Sequence, residues 1–199
     1  RVGDRSLRLD LYLPDEGARP LPLIVYIHGG AWRAGDKAHP RALRTIAEGY
    51  AVASVGYRLS HEAIFPAQIH DCKAAVRWLR ANAATYGLDP YRFAAWGESA
   101  GAHLAALLGV SAGVPEIEGT LGHPEQPSAV SAVCGWFGPS DFLRMNDIPG
   151  VQDHDAPDSP ESQLIGAPIQ TRPDLVARAN PITYVRRTAP PFLLMHGTA

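Results

Sequence analysis

The sequence is sparing with sulfur: two cysteines and two methionines occur in 199 residues. Cys72 and Cys134 lie far apart in the chain and neither sits at metal-ligand spacing, so no cysteine metal centre or disulfide scaffold is expected. Both read as buried free thiols, a usage that leans towards a cytoplasmic over a secreted protein while leaving the compartment open. An excess of charge is also missing. Eighteen Lys+Arg stand against 20 Asp+Glu, a formal net charge of −2. That balance removes the electrostatic case for nucleic acid or for an anionic membrane surface. No apolar run approaches the ~18 residues needed to span a bilayer. The first residue is Arg1 rather than Met, so the lack of a targeting segment excludes nothing. Internal repeats and low-complexity tracts are absent.

What is there is globular. The hydrophobic fraction is 46%, which supports a core, and 19 Gly with 18 Pro imply long loops rather than disorder. The length suits one domain.

Strand and helix signals alternate. Leu7, Leu9, Leu11 and Leu13 recur at period two, the pattern of a strand with one buried face. Residues 23–27 and 51–55 are continuous apolar runs, expected of strands covered on both faces. Further strands are predicted over 93–96, 130–137 and 192–195. Between them, Cys72, Ala75, Val76, Leu79 and Ala83 make one helical stripe over 67–84, with Lys73, Arg77 and Arg80 assigned to water. Gly87 is a plausible stop, and Asp89-Pro90 reads as a turn into the next strand. Residues 100–110 form a second helix, apolar nearly all round. Strands alternating with helices imply a mostly parallel sheet with helices on both faces. Residues 138–190 break the rhythm. They read as a partly helical, lid-like excursion, with short helices over 159–166 and 173–179, that could roof a site.

Two motifs carry chemistry. Gly97-Glu98-Ser99-Ala100-Gly101 matches G-x-S-x-G, and it follows a strand and opens an apolar helix, the setting of a nucleophile elbow. Ser99 is the candidate nucleophile; Gly97 and Gly101 let strand and helix approach, and the helix N-terminus favours a nascent oxyanion. The bland reading is an N-cap serine on a core helix. His28-Gly29-Gly30-Ala31-Trp32 follows the strand over 23–27, where glycines let backbone amides face the crevice at the strand's carboxyl end. Gly30, Ala31 and Ala100 are the candidate oxyanion donors, with His28, Gly29 and Glu98 in support. Trp32 is a candidate wall of the substrate pocket, with a core role equally open. No phosphate-binding glycine pattern occurs.

These segments resemble the α/β-hydrolases, specifically the carboxylesterase branch related to hormone-sensitive lipase and to bacterial feruloyl and acetyl-xylan esterase-like proteins. The resemblance rests on HGGAW at 28–32, GYAVASVGYRLS at 49–60, residues 65–90, GESAGAHLAALLG at 97–109, WFGPSDF at 136–142 and PPFLLMHGTA at 190–199. It implies a three-layer α/β-hydrolase fold in a single domain, 1–199. It also implies a serine carboxylesterase without cofactor or metal, acting on short-chain acyl or small aromatic esters. A prolyl-peptidase-type serine peptidase and a non-catalytic ligand-binding scaffold are the alternatives.

The family places its catalytic acid and histidine after a segment matching His196-Gly197-Thr198-Ala199. The expectation is therefore a fold cut short at both ends, with neither residue within 1–199. Of the internal candidates, His103 reads as structural, His123 and His154 as loop residues, and Asp141 as a turn or cap. Arg58 and Asp71 read as a structural pair. A sheet lacking its last strand would expose an edge through which the chain could self-associate.

Overall fold

The computed structural model describes residues 2, 6–147, 150 and 152–197. Among the described residues six strands form one sheet: β1 (Leu9–Tyr12), β2 (Leu21–Ile27), β3 (Ala51–Val55), β4 (Leu88–Glu98), β5 (Ala132–Trp136) and β6 (Phe192–Met195). Their spatial order is β1-β3-β2-β4-β5-β6. β1 runs antiparallel to β3, and every other neighbouring pair is parallel. The helices are α1 (Ala67–Ala81), α2 (Ala83–Tyr86), α3 (Ala100–Val110), α4 (Pro115–Glu118), α5 (Pro160–Ile165) and α6 (Pro173–Ala179).

The winding positions the site. From β2 the chain moves outward to β3, then crosses back and lays β4 on the other side of β2. That reversal sets the loops after β2 and β4 side by side at the carboxyl ends of their strands, where parallel sheets open a crevice. Ile27 pairs with Gly97 in the β2–β4 register, so both motifs leave the sheet together.

The apolar run of β2 serves two cores. Leu23, Val25 and Ile27 join the main cluster with residues of α1 and α3, while Ile24 and Tyr26 join Ala42, Val52 and Trp96 on the opposite face. A 3-10 segment, Arg41–Glu48, covers that second face. Leu104, Leu107 and Leu108 of α3 are fully buried, each contributing roughly 1.5–3 kcal/mol.

Three local expectations change. Lys73 and Arg77 do not face water: both are buried, because Glu118 and carbonyls of the segment after α3 come down onto α1. Lys73 Nζ donates to Ser111 O and Glu118 Oε1, each at 2.8 Å, and Arg77 donates to Glu118 and to Leu121 O. Arg80, half-buried, caps carbonyls of Pro90, Pro127 and Ala129. Asp89-Pro90 lies inside β4; the local chemistry of a turn survives, with Asp89 accepting from Tyr91 N, but at a register shift opposite Leu21–Leu23 that keeps the strand going. The predicted helix 67–84 divides at Asn82 into α1 and α2, and Gly87 ends α2 in the left-handed region.

The stretch 138–190 contains α5 and α6 where short helices were expected, with Ser159 accepting from Ser162 N as the cap of α5. It is no loose flap. Leu164, Ile165, Ile169, Val176 and Ala179 are buried in the main core. Both cysteines are free, Cys72 buried and Cys134 half-buried.

Candidate active site

Ser99 occupies the turn between β4 and α3 with φ 52° and ψ −123°. A non-glycine residue in that region stores strain of order 1–3 kcal/mol, held by its surroundings. Those surroundings are close. The Ser99 amide donates to Trp136 O at 2.9 Å, and His103 N donates back to Ser99 O, so β5 and α3 fix the turn from both sides. A Cβ at Gly101 would overlap Ile27 O and approach His28 O to 2.6 Å, and one at Gly97 would overlap Gly101 itself. Only hydrogen fits where strand, helix and the end of β2 converge.

The loop after β2 borders the same point. A Cβ at Gly29 would stand 3.4 Å from Ser99 Cβ. Gly30, Ala31 and Trp32 all take positive φ, at 113°, 53° and 56°. This curls the loop so that Arg33 and Ala34 amides close on Gly30 O. Among the described residues, the amides of Gly30, Ala31 and Ala100 have no protein acceptor. Donors left free beside a strained serine at a helix N-terminus are what an oxyanion needs.

His28 is held in place by Tyr57. Its ring stacks on Tyr57 at 4.3 Å, its carbonyl accepts from Tyr57 OH, and burial lowers its pKa. Glu98 accepts from Tyr26 OH at 3.2 Å and pairs with Arg41 Nε at 2.5 Å.

Of the two roles left open to Trp32, pocket wall or core, the structure shows the second. It is 2% exposed, packs edge-on against His103 and Phe142, and bonds His103 through its indole, so it belongs to the core rather than to the wall of the cleft. The positive φ of the loop turns this side chain inward. The cleft in front of Ser99, about 530 Å³, is lined instead by His28, Gly29, Gly30, Asp36, Arg41, Glu98 and Phe137 among others. Sequence reasoning missed Asp36, Arg41 and Phe137. The first two follow the glycine loop closely enough to have been suspected, whereas Phe137 reaches Ser99 only because β5 pairs with β4.

Among the described residues no histidine side chain is hydrogen-bonded to the Ser99 hydroxyl. His103 is sealed in the core, His123 pairs with Glu125, His154 lies 3.2 Å from Glu161, and His196 is exposed after β6. Asp141 accepts from Asn180 Nδ2, and Arg58 clamps Asp71 through two guanidinium bonds of 2.8 Å. Among the described residues there is no cluster suited to a metal ion and no helix long and apolar enough to cross a membrane.

Comparison with known proteins gives this geometry a context. The family model BD-FAE matches residues 9–199. Esterase LipC of Mycobacterium tuberculosis strain H37Rv is 34% identical over 92% of the chain and 45% of its own length. A solved structure described as a truncated carbohydrate esterase from gut microbiota superimposes with a TM-score of 0.89, at 39% identity over 98% of this chain and 73% of that one. Esterase Est2 of Thermogutta terrifontis, with propionate bound, gives a TM-score of 0.78 at 27% identity, covering 100% of this chain and 69% of its own. The chain spans a little under half the length of the curated relatives it matches. With the six-stranded sheet, the serine elbow and the glycine loop in their shared order, the chain belongs to the BD-FAE family, in the hormone-sensitive-lipase-like carboxylesterase branch of the α/β-hydrolases.

Proposed function

We propose that the chain carries the nucleophile and oxyanion hole of a serine carboxylic-ester hydrolase acting on short-chain acyl or small aromatic esters. The observation that carries this reading is the strained Ser99 turn flanked by the unpaired amides of Gly30, Ala31 and Ala100. Ser99 Oγ attacks the ester carbonyl carbon and its proton passes to a histidine base. The three amides hold the oxyanion, the alcohol leaves with a proton, and water then hydrolyses the acyl-serine ester. Relatives named as esterases, and one solved neighbour described as a carbohydrate esterase, support a small-molecule ester as substrate.

The test is covalent labelling of Ser99 by a fluorophosphonate, together with turnover of p-nitrophenyl acetate and butyrate. Labelling mapped to Ser99 and lost in Ser99→Ala supports the reading. An unlabelled Ser99 in folded protein favours a non-catalytic scaffold, and anilide turnover above ester turnover favours a peptidase.

A further inference from the structure

The cleft in front of Ser99 carries an uneven set of charges. Two carboxylates, Asp36 and Glu98, line it, and Arg41 is the one cation among its described lining residues. His28 also borders it, but burial lowers the pKa of that ring, so it adds no charge at neutral pH. Asp36 accepts from Ala38 N at 2.7 Å, which anchors that carboxylate. Glu98 lies beside the nucleophile. A Cβ on Gly29 would stand 3.4 Å from Ser99 Cβ and 3.5 Å from Glu98 Cγ, so the two side chains flank the same residue of the glycine loop.

The Glu98 carboxylate is held at both oxygens. Oε1 accepts from Tyr26 OH at 3.2 Å, and Oε2 pairs with Arg41 Nε at 2.5 Å. Burial and the Glu98 charge push the Tyr26 pKa up to about 12, so the phenol remains a neutral donor and cancels no charge. Arg41 opens the 3-10 segment over this face of the sheet, and its side chain is 61% exposed. An ion pair with so exposed a partner adds little to stability.

We infer that Arg41 is a charge-balancing, positioning residue of the Ser99 site: it cancels the Glu98 carboxylate beside the nucleophile, which would otherwise oppose the oxyanion. The inference rests on the esterase reading and adds to it a residue outside the serine turn and the glycine loop. The argument is one of sign. When Ser99 Oγ adds to an acyl or phosphoryl centre, negative charge builds on the oxygen facing the Gly30, Ala31 and Ala100 amides. Carboxylates lining the same small cleft stand within about one Debye length of that oxygen and disfavour it. Two carboxylates and one guanidinium leave the lining at −1; without Arg41 it stands at −2, and the charge left uncovered is the one next to Ser99. Arg41 acts through that carboxylate rather than on the substrate, because its Nε is engaged by Glu98.

The test is the rate at which a neutral fluorophosphonate labels Ser99 in the unmutated chain, in Arg41→Leu, Arg41→Lys and Glu98→Gln, and in the double variant carrying Arg41→Leu with Glu98→Gln. Arg41→Leu is expected to label about three-fold or more slower than the unmutated chain, and Arg41→Lys, which keeps the charge, within about two-fold of it. Glu98→Gln keeps an acceptor for Tyr26 OH and removes the negative charge, so it should label faster. The double variant should return to within about two-fold of the unmutated chain, the mark of two coupled sites. Salt separates field from structure. The Debye length falls from about 10 Å at 0.1 M to about 3 Å at 1 M, so raising NaCl across that range should speed Arg41→Leu relative to the unmutated chain. A defect in Arg41→Leu that neither Glu98→Gln nor salt relieves would make Arg41 a structural brace and overturn the proposal. Slower labelling of Glu98→Gln, or a labelled chain whose rate Arg41→Leu leaves within about two-fold, would also overturn it while sparing the esterase reading. A folded, unlabelled parent chain would sink both.

Discussion

Trp32 donates its indole N–H to Nδ1 of His103 across 3.2 Å, and Nε2 of the same imidazole lies 2.8 Å from Ala179 O. An indole only donates, so Nδ1 must accept and Nε2 must carry the proton. The ring is therefore neutral, and it ties the glycine loop to α3 and to the end of α6. This explains why a histidine one turn beyond the nucleophile is not its base: both nitrogens are committed, and the side chain is fully buried.

Stability should fall in mild acid because of this ring. Burial lowers the His103 pKa from 6.5 to about 4, so below about 6.5 the unfolded chain binds a proton that the folded one refuses. The stabilisation is complete above the unfolded value and drains away between about pH 6.5 and 4, amounting to roughly 3 kcal/mol at ~1.4 kcal/mol per pH unit. Urea melts across that window should show the loss, and His103→Asn should flatten the slope. An unchanged slope in the variant would assign the acid sensitivity elsewhere, with His28 and His70, both lowered by burial, next in line.

Gly101→Ala should be among the most damaging single-methyl changes in the chain. The added carbon would collide with the Ile27 carbonyl, which β2 cannot withdraw without losing its pairing with β4. A cost of about 3 kcal/mol or more is expected from overpacking against backbone, visible as a lowered Tm. Gly113→Ala, with open space around the Cβ, serves as the control and should cost far less, chiefly the strain of its positive φ. Equal losses would mean that the convergence at Gly101 is looser than described.

Removing Glu118 should unsettle α1 from within. Lys73 and Arg77 are buried against its carboxylate, and Glu118→Ala strands both charges at a cost of about 3–5 kcal/mol. Lys73→Met, which removes a charge that burial already disfavours, should cost less. Denaturant midpoints of the two variants check the order, and a more harmful Lys73→Met would contradict it.

The sequence by itself determined whatever depends on neighbours along the chain. The apolar runs of β2 and β3, the span of α3 and the turn from strand to helix at Ser99 are local patterns of burial and backbone geometry, and each fell where it was read. Gly97 and Gly101 are similarly legible, because a turn that tight excludes any side chain. Tertiary structure decided what depends on partners distant in sequence. Lys73 and Arg77 look like solvent-facing charges until the α4 segment folds over them. Trp32 reads as pocket wall or core alike until the positive φ of its loop turns it onto His103. Asp36, Arg41 and Phe137 become neighbours of Ser99 only when β2, β4 and β5 line up in the sheet. Helical and strand periods say which face of an element is apolar; long-range packing alone says what meets it.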